Sequence, residues 1–201
     1  PGACLLGWVD QPWELADTLI HELHHNRLFA LDEFGPWFAD EDGALGSGRF
    51  YSPWRDDLRP LAGLLHAVYV HVPVHAYWLR AWQAADTPAE VRELAADRVR
   101  RYAAQLRAGL AQLARHARFT PAGQALHAGL RRRVAGMEAR ADRAGVPADP
   151  PAREVAGNRI VPAVLPGGSN SDVPGVRAVL RTHLDQFAPP DQRSALAASL
   201  P

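Results

Sequence analysis

From Leu61 to Leu79 the chain runs almost wholly apolar, without a single Asp, Glu, Lys or Arg. A helix of that length would just span a bilayer. His66, His71, His75 and Pro73 interrupt the run, however, and no second run of its kind lies nearby. Three imidazoles and an imino acid suit a helix buried in protein better than one facing lipid, so the segment reads as a core helix rather than a membrane span. Pro60 suits its first turn, Asp56 or Asp57 is available as a cap, and Pro73 is expected to kink or break it.

The second constraint is His21-Glu22-Leu23-His24-His25, an HExxH sequence inside an amphipathic run from Trp13 to Leu31. On a helix, residues four apart differ by only about 40° of azimuth, so His21 and His25 project from one face and can share a metal ion. Glu22 points beside that ion, placed to act on a metal-bound water or to steady a ligand. With this content of His and Glu, a chance HExxH arises at roughly two per cent, so the surroundings matter. Asp10 is a candidate N-cap, Pro12 falls near the first turn, Gly35-Pro36 is a stop, and Trp13, Ala16, Leu19, Ile20 and Leu23 form an apolar side. The alternative is a surface helix with solvated histidines. His66, His71 and His75 are the candidates for a further ligand. His66 lies about 180° from His75 while His71 and His75 share a face, so spacing alone does not choose among them.

Composition narrows the chemistry. Formal charge is zero and no basic block stands out, which argues against a nucleic-acid surface. All 22 basic residues are Arg, so no lysine Schiff base or lysine general base is available within this segment. A single cysteine, Cys4, excludes an internal disulfide framework and a cysteine-rich zinc site, and fits a reducing, cytoplasmic setting. No secretory leader opens the chain, and its first residue, Pro, is read as lying inside a longer protein.

Gly35 to Gly48, with Asp40, Glu41 and Asp42, reads as a loop. Phe50, Tyr51, Trp54, Arg55, Asp56, Asp57 and Arg59 follow, either as a binding wall beside the metal helix or as an ion-pair corner. Thr87-Pro88-Ala89-Glu90 has the form of a capping box. The helix it opens places Val91, Leu94, Val99, Tyr102, Leu106, Leu110 and Leu113 on one side and Arg on the other. Thr120-Pro121 starts a further helix ending at Gly145, and the two make an αα-hairpin. Arg131, Arg132 and Arg133 read as a solvated face, with an acidic-peptide surface as the alternative. The expected fold is mainly α, with residues 1–145 a metal-binding domain. Residues 146–201 read as a Pro/Gly-rich linker and tail: one short strand at most over Arg159–Leu165, the run Gly167-Gly168-Ser169-Asn170-Ser171, a short helix over about Val176–Phe187 and a frayed end.

Among HExxH peptidases, one group continues with H-x-x-G-x-x-H, which Leu28 and Leu31 exclude. Another takes a downstream Glu, and Glu93-Leu94-Ala95-Ala96-Asp97 has the E-x-x-x-D form, which a solvated helix face explains equally well. From Trp13 to Trp82 the chain resembles a different family, the HExxH-motif peptide-modification proteins associated with ribosomally made, post-translationally modified peptides. The resemblance rests on the motif and, some thirty residues later, the stretch Tyr51-Ser52-Pro53-Trp54-Arg55-Asp56-Asp57-Leu58-Arg59-Pro60-Leu61-Ala62-Gly63-Leu64-Leu65-His66-Ala67-Val68-Tyr69. His24 stands where the family commonly has Gln, and Leu58 where Pro is usual.

The resemblance implies Fe(II) and 2-oxoglutarate-dependent β-hydroxylation of a precursor peptide. His21, His25 and His66 become the iron ligands, and Arg55 or Arg59 the partner of the distal carboxylate of 2-oxoglutarate. Three protein ligands on an octahedral ion leave three positions for the bidentate cosubstrate and for oxygen. Glu22 becomes a neighbour of the ligands, or a ligand itself in place of His66, while Asp56 and Asp57 orient a ligand or cap the next helix. The alternatives are a Zn(II) peptidase with Glu22 as general base and Glu93 as third ligand, and a metal-free peptide-binding protein. Neither nucleic acid nor membrane is expected as a partner, and the oligomeric state is open.

Overall fold

The structure, a computed structural model, describes residues 10–39, 50–150 and 175–198. Among these there are six helices and no strand: α1 (Pro12–Asp32), α2 (Leu61–Gln83), α3 (Ala89–His116), α4 (Pro121–Arg143), α5 (Val176–Phe187) and α6 (Pro190–Ala197). The fold is mainly α, as expected. Cys4, the acidic residues Asp40, Glu41 and Asp42, the strand expected over Arg159–Leu165 and the run Gly167–Ser171 lie outside the described residues.

The apolar run is the axis of the molecule. α2 packs against α1, α3 and α4, burying Leu64, Leu65, Val68, Val72, Val74, Trp78 and Leu79. Of the kink or break expected at Pro73, the break does not occur, and the helix runs on through it. A proline inside a helix costs about 3 kcal/mol or more, whereas each large apolar side chain buried on both flanks contributes roughly 1.5–3 kcal/mol, so packing wins. Among the described residues no helix is long and apolar enough to cross a membrane.

Several expected caps do not form. The N-cap of α1 is Gln11 rather than Asp10, and α2 begins after Pro60 with no side-chain cap, its candidate Asp57 being drawn to Arg55 and Arg59. α3 starts after Pro88. Thr87 donates its hydroxyl to the Ala81 carbonyl at 2.7 Å instead of capping, and Arg92 donates to the carbonyls of Trp82 and Ala84, closing the α2–α3 corner. Thr120 does cap α4, accepting from Gly123 N at 3.1 Å.

Two faces turn out differently from the sequence reading. On α1, Leu19 and Leu23 are about half exposed, while Trp13, Ile20 and Leu28 face the core with Asp17 between them. The packed face is rotated by about 80° from the apolar stripe toward the histidines. Asp17 explains the rotation: its carboxylate accepts hydrogen bonds from Trp78 Nε1 at 2.6 Å and Tyr102 Oη at 3.3 Å, joining α1 to α2 and α3. On α3, Arg98 and Arg101 are buried rather than solvated, and Arg101 pairs with the fully buried Asp97 at 2.7 Å.

α5 forms over the expected range and, with the unanticipated α6, packs on α3 around Ala104 and Ala108 through Val179, Leu180, Leu184 and Leu196. The segment read as a tail therefore covers one side of the domain. It also reaches back to the loop after residue 50: Gln192 Oε1 accepts from Tyr51 N at 3.1 Å, and His183 Nδ1 lies 2.7 Å from Tyr51 Oη.

Candidate metal centre

α1 and α2 bring their histidines together along one seam. Facing nitrogens of His21 and His25, both Nε2, lie 3.1 Å apart, and the other nitrogen of His25, Nδ1, lies 3.4 Å from Nδ1 of His66. His71 completes the group from deeper in α2, its ring centroid 5.0 Å from that of His21. His21, His25, His66 and His71 line one cavity of about 340 Å³, whose remaining wall comes from Ser52, Trp54, Arg55, Arg59, Gly63 and Ala67. The sequence-derived ligands and both candidate arginines thus share a single space.

Burial sets the charge state of these rings. Desolvation, aided by neighbouring His25, lowers the His21 pKa to about 4, and that of the buried His71 falls to about 3, with His21 beside it as the second cause. His25 and His66 are lowered as well, in each case chiefly by burial. Glu22 opposes the shift at His25, and Asp32, whose carboxylate lies 3.5 Å from His66 Nε2, opposes it at His66. All four imidazoles are neutral near neutral pH and carry a lone pair, the form that ligates a metal. His71 is oriented by its Nδ1–H, which donates to the Ala67 carbonyl at 2.7 Å and leaves Nε2 as the acceptor nitrogen.

Two nitrogens bound to one ion at about 2.1 Å and separated by about 90–110° stand roughly 3.0–3.4 Å apart. The His21–His25 pair has that spacing. Yet among the described residues no group of three His, Cys, Asp or Glu is assembled to hold a metal. The reason lies in His25, which turns one nitrogen to His21 and the other to His66. One imidazole cannot offer both nitrogens to one ion, so the rings form a row His71–His21–His25–His66 rather than a converging triad. As the rings stand, only His21 and His25 have the spacing that one ion needs, and a three-histidine centre would require the His25 or His66 ring to turn.

Arg55 and Arg59 flank Asp57. Arg55 Nε donates to it at 2.7 Å, and Arg59 Nε stands 3.2 Å away without hydrogen-bond alignment. The two guanidinium groups hold the Asp57 carboxyl below its ordinary range. Glu22 is half-buried on α1 and is not part of the cavity wall; its charge beside His25 favours the protonated form of that ring. Asp56 caps no helix and instead lies 3.5 Å from His183 Nε2.

His75 is fully buried between α2 and α3, away from the cavity, its ring approaching the Val99 backbone without hydrogen-bond geometry. Glu93 is exposed on α3 and does not line the cavity. Trp54, read from the sequence as part of a possible binding wall, stacks on His71 with centroids 4.7 Å apart, whereas Asp32 beside His66 was not singled out from the sequence. Trp54 owes its seat to Gly109: a Cβ there would lie 2.7 Å from Val68 Cγ2 and 3.0 Å from the indole. The clue to Asp32 was its place two turns past His25 and one turn past Leu28 on the same helix. Comparison of the chain with protein-family models found no match, and comparison with curated proteins found none either.

Proposed function

We propose that this protein is a metal-dependent enzyme that modifies a peptide, with His21, His25 and His66 as ligands to Fe(II) and Arg55 or Arg59 receiving a carboxylate of 2-oxoglutarate. The observation that carries the reading is the one cavity in which these five side chains meet. Its volume falls within the roughly 300–1,000 Å³ of small-molecule sites. Bound iron with 2-oxoglutarate would supply oxidative chemistry on an unactivated carbon–hydrogen bond.

The chain's own residues provide the setting. Buried, neutral imidazoles present lone pairs without first having to lose a proton. The arginines offer planar, bidentate donors to a carboxylate, and releasing one of them from Asp57 costs little because that pair is largely exposed. Trp54 and the α2 wall exclude water from one side of His71. A zinc peptidase is less well supported, since Glu22 is not in the cavity wall and Glu93 is exposed elsewhere.

The test is metal analysis of anaerobically purified protein, followed by addition of 2-oxoglutarate. Stoichiometric iron, lost in His21→Ala and His25→Ala, together with the visible charge-transfer absorption of an iron–2-oxoacid chelate, is the expected result. Zinc with peptide cleavage would replace this reading by the peptidase, and failure to hold any transition metal would leave a peptide-binding scaffold.

A further inference from the structure

A second cavity, of about 330 Å³, opens on the other side of His66. The end of α1 supplies Asp32 and Glu33, the chain beyond it Pro36, Trp37 and Phe38, and α2 contributes Leu65. Its walls are fixed. Thr120 N donates to the Trp37 carbonyl at 3.0 Å, Ala39 N donates to the Arg118 carbonyl at 2.7 Å, and Phe38 stacks on Phe119 with centroids 5.4 Å apart. Gly123 belongs to the same frame, since any side chain there would run into the Trp37 carbonyl. Trp37 Nε1 donates to Asp32, which orients the indole at the cavity wall.

The chemistry of this space is apolar and aromatic within and acidic at the rim. α1 ends in two carboxylates with no basic residue in its last turn, so the negative end of the helix dipole adds to their charge instead of being offset. Asp32 is engaged by Trp37 and His66. Glu33 is exposed and makes no ion pair among the described residues. An occupant that satisfies both halves has a long apolar stem and a cationic head: the stem lies along Leu65, Pro36 and Phe38, and the head meets Glu33 and the indole face.

We infer that this cavity is a subsite for a basic side chain of the peptide substrate, placing the neighbouring substrate residue against the histidine row through the shared wall at His66. The inference rests on the peptide-modification reading for its consequence, but the binding itself requires no metal. A purely aliphatic occupant leaves Glu33 unanswered, and an acidic one is repelled by both carboxylates.

The full chain, uniformly labelled with nitrogen-15 and stripped of metal by a chelator, is titrated with blocked arginine (N-acetyl-arginine methylamide), blocked leucine and blocked glutamate. The readout is the indole N–H resonance of Trp37, assigned by its disappearance in Trp37→Phe. Blocked arginine is expected to shift it saturably, with affinity about tenfold weaker in Glu33→Gln. The glutamate derivative should leave the resonance in place. Equal binding of leucine and arginine, no saturable shift with arginine, or an unchanged affinity in Glu33→Gln would each overturn the inference. A protein that binds blocked arginine here but never holds iron keeps this subsite and loses the oxygenase reading; one that holds iron without selecting arginine does the reverse.

Discussion

The phenol of Tyr51 and the imidazole of His183 meet at 2.7 Å across 132 residues of sequence, tying the loop that carries Arg55 and Arg59 to α5. Gln192 secures the same residue through its backbone, and Asp56 stands on the far side of the His183 ring at 3.5 Å. The arginine wall is therefore held from behind by the C-terminal helices. Tyr51→Phe removes a buried hydrogen bond and strands the His183 nitrogen, a loss of about 1–3 kcal/mol. Thermal unfolding should fall by several degrees, and amide exchange over residues 50–60 should quicken while α2 keeps its protection. Unchanged exchange in that loop would show that α5 does not steady it.

The third ligand separates by substitution. His66→Ala should weaken iron binding by more than about 100-fold, the loss of a donor, whereas His71→Ala should weaken it by about 10–100-fold, the effect of a supporting neighbour. Equilibrium metal titration of both variants checks this. The reverse order would move the third donor to His71, whose Nδ1 is already committed to Ala67.

Gly109 reports on the seat of Trp54. Gly109→Ala forces a methyl to 2.7 Å from Val68 and 3.0 Å from Trp54, so one or both must shift, with overpacking expected to cost about 1–3 kcal/mol. The displacement reaches His71 through the stacked ring. Denaturant unfolding should show the loss, and metal affinity should fall with it.

Acid should unfold the protein early. His21 and His75 have pKa values lowered to about 4 and His71 to about 3, against about 6.5 in the unfolded chain. Each ring therefore stabilises the fold fully above about pH 6.5 and progressively less as pH drops toward its folded value, at up to roughly 1.4 kcal/mol per pH unit. Asp17 and Glu14 act in the opposite sense, because burial raises their pKa values and protonation relieves them, but His25, His66, His116, His127 and His183, likewise lowered by burial, add to the three rings. Circular dichroism during acid titration should give an unfolding midpoint between about pH 4 and 6. A fold intact at about pH 3.5 would contradict the buried, neutral state of these imidazoles.

The helices were legible because their periodicity and punctuation agree: α1, α2, α4 and α5 start and end within a few residues of the positions that Pro12, Pro60, Thr120 and Phe187 suggest. The spacing of His21 and His25 likewise foretold their 3.1 Å approach. Long-range choices were not legible. Periodicity placed Leu19 and Leu23 inward, but a buried carboxylate needs partners, and Trp78 and Tyr102, from two other helices, supply them to Asp17 and set the rotation of α1. Arg101 lies one turn before Ala104, on the face of α3 that α5 and α6 return to cover, while Arg98 lies near the Glu14 and Asp17 carboxylates of α1, and local pattern reveals neither neighbour. Likewise the pairing of His25 with both His21 and His66 is a matter of ring orientation, which residue spacing leaves free.

The two helices that supply the imidazoles touch along a single seam, and α1 makes its principal contact with α2 alone. Docking of the first helix and creation of the donor cluster are consequently the same event. An ion gripped by both partners would act as a rivet, adding its binding free energy to the attachment of α1 and making the lifetime of that attachment a direct gauge of occupancy.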